Sequence, residues 1–426
     1  MKNIYRKKIL DNGLKIIMHE IPERQSAALG IWIKVGGRYE NPGNKGMSHF
    51  LEHLLFKGTK NYSCRRLKES IEGIGGSLNG FTSEESTCYL VKVPASRLDI
   101  GLKVLSDMVI NPKLPAQEIE KEKTVILEEL KMYRDLPQSY VYELLDELLW
   151  PKQPLGEPII GTVESVTRVN RKALSDFRYK YYTASNIVVS ACGSLDCDEL
   201  EQDVERIFSG FKQDKPNTFP AAKEKQNSAP ALKILNKDTE QTHMALGFRS
   251  FKREHPLRHA LSMLHIVLGA NMSSRLFEEL REKRGLAYEI GTLVKRFQDT
   301  GAFVVHAGID NKKVPQAIKL ILEELRKSRD ELISDGEFKR AKEFYTGQLK
   351  LALEDTLEYM LWIGETTLMS NKAQSLDEII AEVNRVDKAS IREASRKMFK
   401  DANINLSLIG PLSGIEDEIR KNLSIG

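Results

Sequence analysis

In GMSHFLEHLLFKGT, residues 46–59, His49, Glu52 and His53 interrupt an apolar run of Met47, Phe50, Leu51, Leu54, Leu55 and Phe56. Residues four apart share one face of a helix, so His49 and His53 direct two imidazoles at one point, and Glu52 lies within a turn of both. Neutral imidazole is a good zinc ligand. A catalytic zinc takes three protein ligands and keeps one position open, and a carboxylate beside that position can take the proton of a water. The pattern HxxEH therefore supplies two ligands and a base. The competing account is a core helix whose two histidines are satisfied by backbone or water; a third ligand, which the helix itself lacks, decides between them.

The best source of that ligand is EIEKEKTVILEEL, residues 118–130, where Glu122 and Glu129 stand seven apart and so share a helical stripe. Glu128, about 100° further round the helix, is the rival. In so Lys- and Glu-rich a segment the ordinary fate of any single glutamate is a solvated face.

These groups must be held by the elements around them. GLKIIMHE and SAALGIWIKVGG read as strands before the HxxEH helix; SCRRLKESIEGIGG is a helix stopped by glycines, and SLNGFTSEESTCYLVKVP a hairpin with its second strand at 86–93. Helices fill the middle, and NIVVSACG is a further strand. From Gly210 to Pro230 the composition turns to Lys, Pro, Asn, Gln and Ala, a linker signal. The same order then returns, ending in NINLSLIG, which resembles NIVVSACG. The expected fold is α+β: two homologous domains, each a mainly antiparallel sheet packed with helices, at 1–212 and 231–426 with a linker at 213–230. The second half has no HxxEH: the helix HPLRHALSMLHIVLG carries His255, His259 and His265 without a glutamate placed before His259.

At 426 residues, 41% hydrophobic and 29% charged, the chain has the composition of a globular protein of two or three units. A net charge of +4 over this length gives no basis for a nucleic-acid or anionic-membrane partner. Cys64, Cys88, Cys192 and Cys197 show neither CxxC spacing nor a disulfide framework, which fits a reducing compartment. The basic start is interrupted by Asp, Asn and Gly before a signal core forms, and nothing approaches the roughly 18 apolar residues of a membrane span. A cytoplasmic protein is expected.

With these residues in hand, the sequence resembles the inverted-zincin peptidases of the pitrilysin and insulin-degrading type, and most of all the short members related to the mitochondrial processing peptidase. The resemblance covers essentially the whole chain. In that family a glutamate about 76 positions beyond the second histidine completes the zinc site, which lands on Glu129 and not Glu128. A carboxylate seven residues earlier supports the site, matching Glu122, as an outer carboxylate that takes the N–H of a ligating imidazole would. GGSLNGFTSEESTCYL resembles the family's edge strand, with Asn79, Gly80 and Phe81 at the substrate-binding positions, although alanine is usual where Gly80 stands. An exposed edge can accept an extended peptide through its backbone. SSRLFEELREKRGLAYEIG resembles the segment whose arginine and tyrosine touch substrate, giving Arg281 and Tyr288. Ala270 and Asn271 replace glycines common before it.

The resemblance implies two chains closing a chamber, as a homodimer or with a different subunit, with Arg281 and Tyr288 supplied across the interface. The reading is a zinc endopeptidase acting on short or unfolded peptides: one Zn2+ per chain on His49, His53 and Glu129, with Glu52 as general base and Tyr288 as an oxyanion donor. The alternative is a non-catalytic scaffold or substrate-binding subunit, and such family members have typically lost part of the metal motif.

Overall fold

The computed structural model describes residues 4–223 and 229–426. Residues 224–228, inside the expected linker, lie outside the described residues. The chain forms two units. Each is built on one sheet, and the two sheets repeat a single topology.

In the first unit, the strands are β1 (Arg6–Ile9), β2 (Lys15–Glu20), β3 (Ser26–Ile33), β4 (Ser77–Thr82), β5 (Thr87–Pro94) and β6 (Ile187–Gly193), ordered β1-β2-β6-β3-β5-β4. In the second, β7 (Ala231–Asn236), β8 (Gln241–Ser250), β9 (Ala287–Arg296), β10 (Gly301–Asp310) and β11 (Asn405–Gly410) are ordered β7-β11-β8-β10-β9. Leaving β1 aside, the two orders correspond strand for strand. Each sheet is antiparallel except for one parallel pair, β2 with β6 and β7 with β11. Each ends in an exposed edge, β4 or β9.

Every residue of β6, and all but the first of β3, is buried, because both faces of the sheet are covered. One face packs on helices that include Met47–Leu55 and Leu98–Ile110, through Leu29, Ile31, Phe50, Leu54, Val91 and Leu105. The opposite face packs on the Thr356–Ser370 helix, where Tyr359, Met360 and Ile363 meet Ile17, Ala28 and Trp32. In the second unit the equivalent cover is the Pro137–Leu149 helix, with Val141, Leu145 and Leu149 against Ala245, Val304 and Ile409.

The units are therefore not two continuous stretches. Residues 131–157 belong with the second sheet and 350–375 with the first, so each half of the chain lends one segment to the other unit. A linker at 213–230 marks where the sequence repeats, whereas burial of apolar helix faces decides which sheet each helix joins. Among the described residues no helix is long and apolar enough to cross a membrane.

Candidate metal centre

The Met47–Leu55 helix starts at Gly46, whose φ of +86° suits glycine and whose carbonyl accepts from the Phe50 N–H at 2.9 Å. Its first free amides point at a buried carboxylate. Glu40 accepts from the Gly46 N–H at 2.8 Å and the Ser48 N–H at 2.6 Å, which also places negative charge at the positive end of the helix. Phe50, Leu51, Leu54 and Leu55 are fully buried and fix the rotation of the helix. That rotation leaves His49 and His53 partly exposed on the side facing the Ala116–Asp135 helix.

The Ala116–Asp135 helix buries Ile119, Ile126 and Leu130, and with them Glu122. Glu129 approaches both histidines: its Oε2 lies 3.8 Å from His49 Nε2 and 3.7 Å from His53 Nε2. Glu128 is exposed and outside this group. One potential ligand atom from each of His49, His53 and Glu129 falls within 4.8 Å of the others, and no other such trio occurs among the described residues.

Two observations test whether a metal fits. Distances of 3.7–3.8 Å are too long for hydrogen bonds, but they are close to the roughly 3.3–3.5 Å separating two ligands of a tetrahedral zinc. Moreover, the His49 Nδ1 is buried without a partner among the described residues, and the His49 Nε2 lies 3.8 Å from Glu129, too far for a hydrogen bond. A buried imidazole serving only the fold is normally hydrogen-bonded. The donor set fits zinc.

His53 is oriented from behind. Its Nδ1 lies 3.0 Å from Glu122 Oε2, which fixes the proton on Nδ1 and leaves Nε2 unprotonated and able to ligate. Glu122 Oε1 in turn receives Lys57 Nζ at 2.5 Å. Glu52 has a partner of its own: Thr82 Oγ1 donates to Glu52 Oε2 at 3.3 Å.

Burial, reinforced by the neighbouring His53, pushes His49 down to about 3, so it stays neutral and able to ligate. Burial acts the same way on His53, but the Glu122 hydrogen bond and the charges of Glu52 and Glu129 outweigh it and hold His53 above the ordinary histidine value. Glu52 is raised by burial, against His53 and the Thr82 hydroxyl. Glu129 is likewise raised by burial, with His53 opposing. Burial would also raise Glu122, yet the hydrogen bonds from His53 and Lys57 bring it below the usual carboxylate range.

On the edge strand β4, alternation places Leu78, Gly80 and Thr82 on the face toward the Met47–Leu55 helix and Asn79 and Phe81 on the other. A Cβ at position 80 would stand 3.0 Å from the Phe56 ring and 3.2 Å from the Cys88 carbonyl oxygen, so an alanine there would need these neighbours to give by a few tenths of an ångström. Phe81 meets Trp32 edge-on at 5.6 Å, and Asn79 Oδ1 accepts from the Gly80 N–H. What the edge offers an extended peptide is therefore mainly backbone. In the second unit, Arg281 lies on a short π-helical turn, Phe277–Glu282, with its guanidinium 5.2 Å from the Tyr288 ring; Tyr288 is 73% exposed on β9. These two residues form a pair of their own.

Glu40, Lys57 and Thr82 were not singled out from sequence. A lysine four residues after His53 shares its helical face, and strand alternation ranks Thr82 with Gly80, so signals existed for both. Glu40 acts across a loop and left none.

The family model described as Insulinase (Peptidase family M16) matches residues 15–163, and that described as Peptidase M16 inactive domain matches residues 168–345. A Bacillus subtilis chain named "Uncharacterized zinc protease YmxG" is 36% identical over 400 residues, covering 94% of this chain and 97% of that one. A Streptomyces coelicolor chain named "Uncharacterized zinc protease SCO5738" is 34% identical, covering 96% and 90%. Among solved structures, a protease from Helicobacter pylori superposes with a TM-score of 0.88 at 23% identity, over 96% of this chain and 99% of that one. A peptidase M16 inactive domain from Pseudomonas fluorescens has the same TM-score at 17% identity, over 96% and 98%, and both neighbours share the fold.

Proposed function

The chain belongs to the insulinase family, peptidase family M16, and from that premise we propose that it is a zinc-dependent endopeptidase acting on short or unfolded peptides. The observation that carries this reading is the convergence of His49, His53 and Glu129, with the Glu52 carboxylate on the same helix. The names of the two curated relatives agree with it.

His49 Nε2, His53 Nε2 and a Glu129 carboxylate oxygen would hold one Zn2+, with Glu122 and Lys57 keeping the His53 ring in place. Zinc supplies Lewis-acid activation of water and of a peptide carbonyl. Glu52 takes one proton from the attacking water as the new C–O bond forms at the scissile carbon. It then delivers that proton to the leaving nitrogen as the C–N bond breaks. An extended peptide would lie along the β4 edge, held through main-chain hydrogen bonds around Asn79, Gly80 and Phe81. Tyr288 would donate to the developing oxyanion and Arg281 hold a substrate carbonyl or carboxylate, both supplied by the partner chain of a dimer that encloses the peptide.

The test is Glu52→Gln. It should keep zinc near one equivalent per chain, measured by metal analysis, while hydrolysis of a quenched fluorescent peptide falls by about 10²–10⁴-fold. Retained turnover would remove Glu52 from the role of base.

A further inference from the structure

We propose that Thr82 is a positioning residue for Glu52, so that the strand offered to the substrate also sets the geometry of the base. This rests on the reading of Glu52 given above. Thr82 Oγ1 is the one hydrogen-bond donor to the Glu52 carboxylate among the described residues, at 3.3 Å from Oε2. Engaging one oxygen fixes the plane of the carboxylate and leaves Oε1 for proton transfer. Without that contact, the largely buried Glu52 carboxylate would have no hydrogen-bond donor among the described residues.

The hydroxyl is itself held in place. Thr82 is the last residue of β4, paired with Thr87 across the hairpin, and its branched Cβ restricts its rotamer. The turn that follows is pinned: the Ser83 N–H donates to the Ser86 carbonyl at 2.8 Å, the Gly37 N–H to Ser83 at 3.2 Å and the Arg38 N–H to the Glu84 carbonyl at 2.8 Å. Beneath the turn, Arg38 Nη1 meets Glu85 Oε1 at 2.6 Å, with both side chains almost fully buried. The stretch 37–48 that carries this arginine also contains Glu40, which caps the Met47–Leu55 helix. The base and its hydroxyl partner are thus set from one framework. A peptide pairing with β4 would therefore meet a base whose orientation its own strand has fixed.

The full zinc-loaded chain carrying Thr82→Val, Thr82→Ser or Glu52→Gln provides the test, with kcat and KM measured on one quenched fluorescent peptide and zinc content measured on each. Valine keeps the shape and removes the hydroxyl; it should lower kcat about 10–100-fold with KM changed by less than about twofold and zinc content unchanged. Serine restores the donor and should return kcat to within about threefold of the parent. Should valine disturb the strand, judged by thermal unfolding and zinc content, Thr82→Ala is compared with serine in the same way. A kcat for Thr82→Val within about twofold of the parent would overturn the proposal, as would serine as slow as valine or a change confined to KM. Activity surviving in Glu52→Gln would instead remove the base itself, a different failure from that of Thr82.

Discussion

In the first unit the helix at the metal centre, Met47–Leu55, follows β3 and carries His49, Glu52 and His53; in the second, the helix in the same place after β8 is Arg258–Gly269, carrying His259 and His265. The sheets beneath them share one strand order, so the difference lies in what the side chains do. His259 is occupied at both nitrogens, Nδ1 lying 3.1 Å from the Tyr345 hydroxyl and Nε2 2.8 Å from Glu382. His265 Nδ1 lies 2.6 Å from the Thr292 hydroxyl, and burial pushes the ring down to about 4. The His49 ring, by contrast, has a buried Nδ1 without a partner among the described residues, and His53 engages Nδ1 alone. Both nitrogens of His259 and the Nδ1 of His265 are taken up by the fold. The histidines of the first unit keep nitrogens aimed at Glu129 and available to a ligand, which is why one repeat can hold a metal and the other, with the same architecture, does not assemble a site.

The widest gap between the units should come from removing one histidine in each. His53→Ala takes away one of three ligands; zinc retained after dialysis should fall below about 0.1 equivalent and hydrolysis should be lost with it. His259→Ala should leave zinc and turnover near the parent while costing about 1–3 kcal/mol of stability, because it removes the partner of the Tyr345 hydroxyl, takes one contact from Glu382, which keeps Arg258, and leaves a cavity. Metal analysis and thermal unfolding of the two variants check this. Zinc held by the first variant, or lost from the second, would break the comparison.

A smaller effect separates two supporting carboxylates. Glu122 holds the imidazole of His53, which the proposed site uses as a ligand, whereas Glu382 holds that of His259, which it does not. Glu122→Ala should weaken zinc about 10–100-fold in a chelator competition, and Lys57→Met by less, since it loosens Glu122 without removing it. Glu382→Ala should not move zinc affinity. Equal losses from Glu122→Ala and Glu382→Ala would indicate general softening of the fold.

How far this was legible in the sequence follows the range of each interaction. His49, Glu52 and His53 declare themselves because helical spacing alone puts them together. Glu129 on geometry shared its candidacy with Glu128, and the resemblance to a known family separated them; the burial of Ile126 and Leu130 turns Glu129 toward the histidines and leaves Glu128 exposed. The duplicated α+β plan was readable from the repeated order of elements. The exchange of the Pro137–Leu149 and Thr356–Ser370 helices was not, because an apolar helix face states that it must be buried without naming the sheet that buries it. Thr82 escaped for a related reason: its partner is set by the register of β4 and by where the turn at 83–86 is pinned, neither of which is written locally.

The smallest expected difference concerns a carboxylate with no counterpart role in the first unit. Glu337 lies on the Asp335–Ala352 helix, which takes the place in the second unit that Ala116–Asp135 takes in the first. Where Glu129 is left with nothing closer than 3.7 Å from the two imidazoles, Glu337 receives Arg275 Nε at 2.6 Å and Nη2 at 3.0 Å, and the Ser334 N–H at 2.9 Å. Hydrogen bonding by Arg275 outweighs burial and brings its carboxyl down from 4.5 to about 2. The folded chain therefore binds this proton more weakly than the unfolded one. The stabilisation is fully present above pH 4.5 and is lost as the pH falls from there toward 2. Because the pair is partly open to solvent, its worth at neutral pH is about 1 kcal/mol, or roughly 2–4 °C in midpoint for a unit of this size. Glu337→Gln should unfold earlier than the parent by that margin at pH 7, and the two curves should converge as the pH is lowered toward 2. A gap that stayed constant across the range would mean that Glu337 acts through packing and not through its charge.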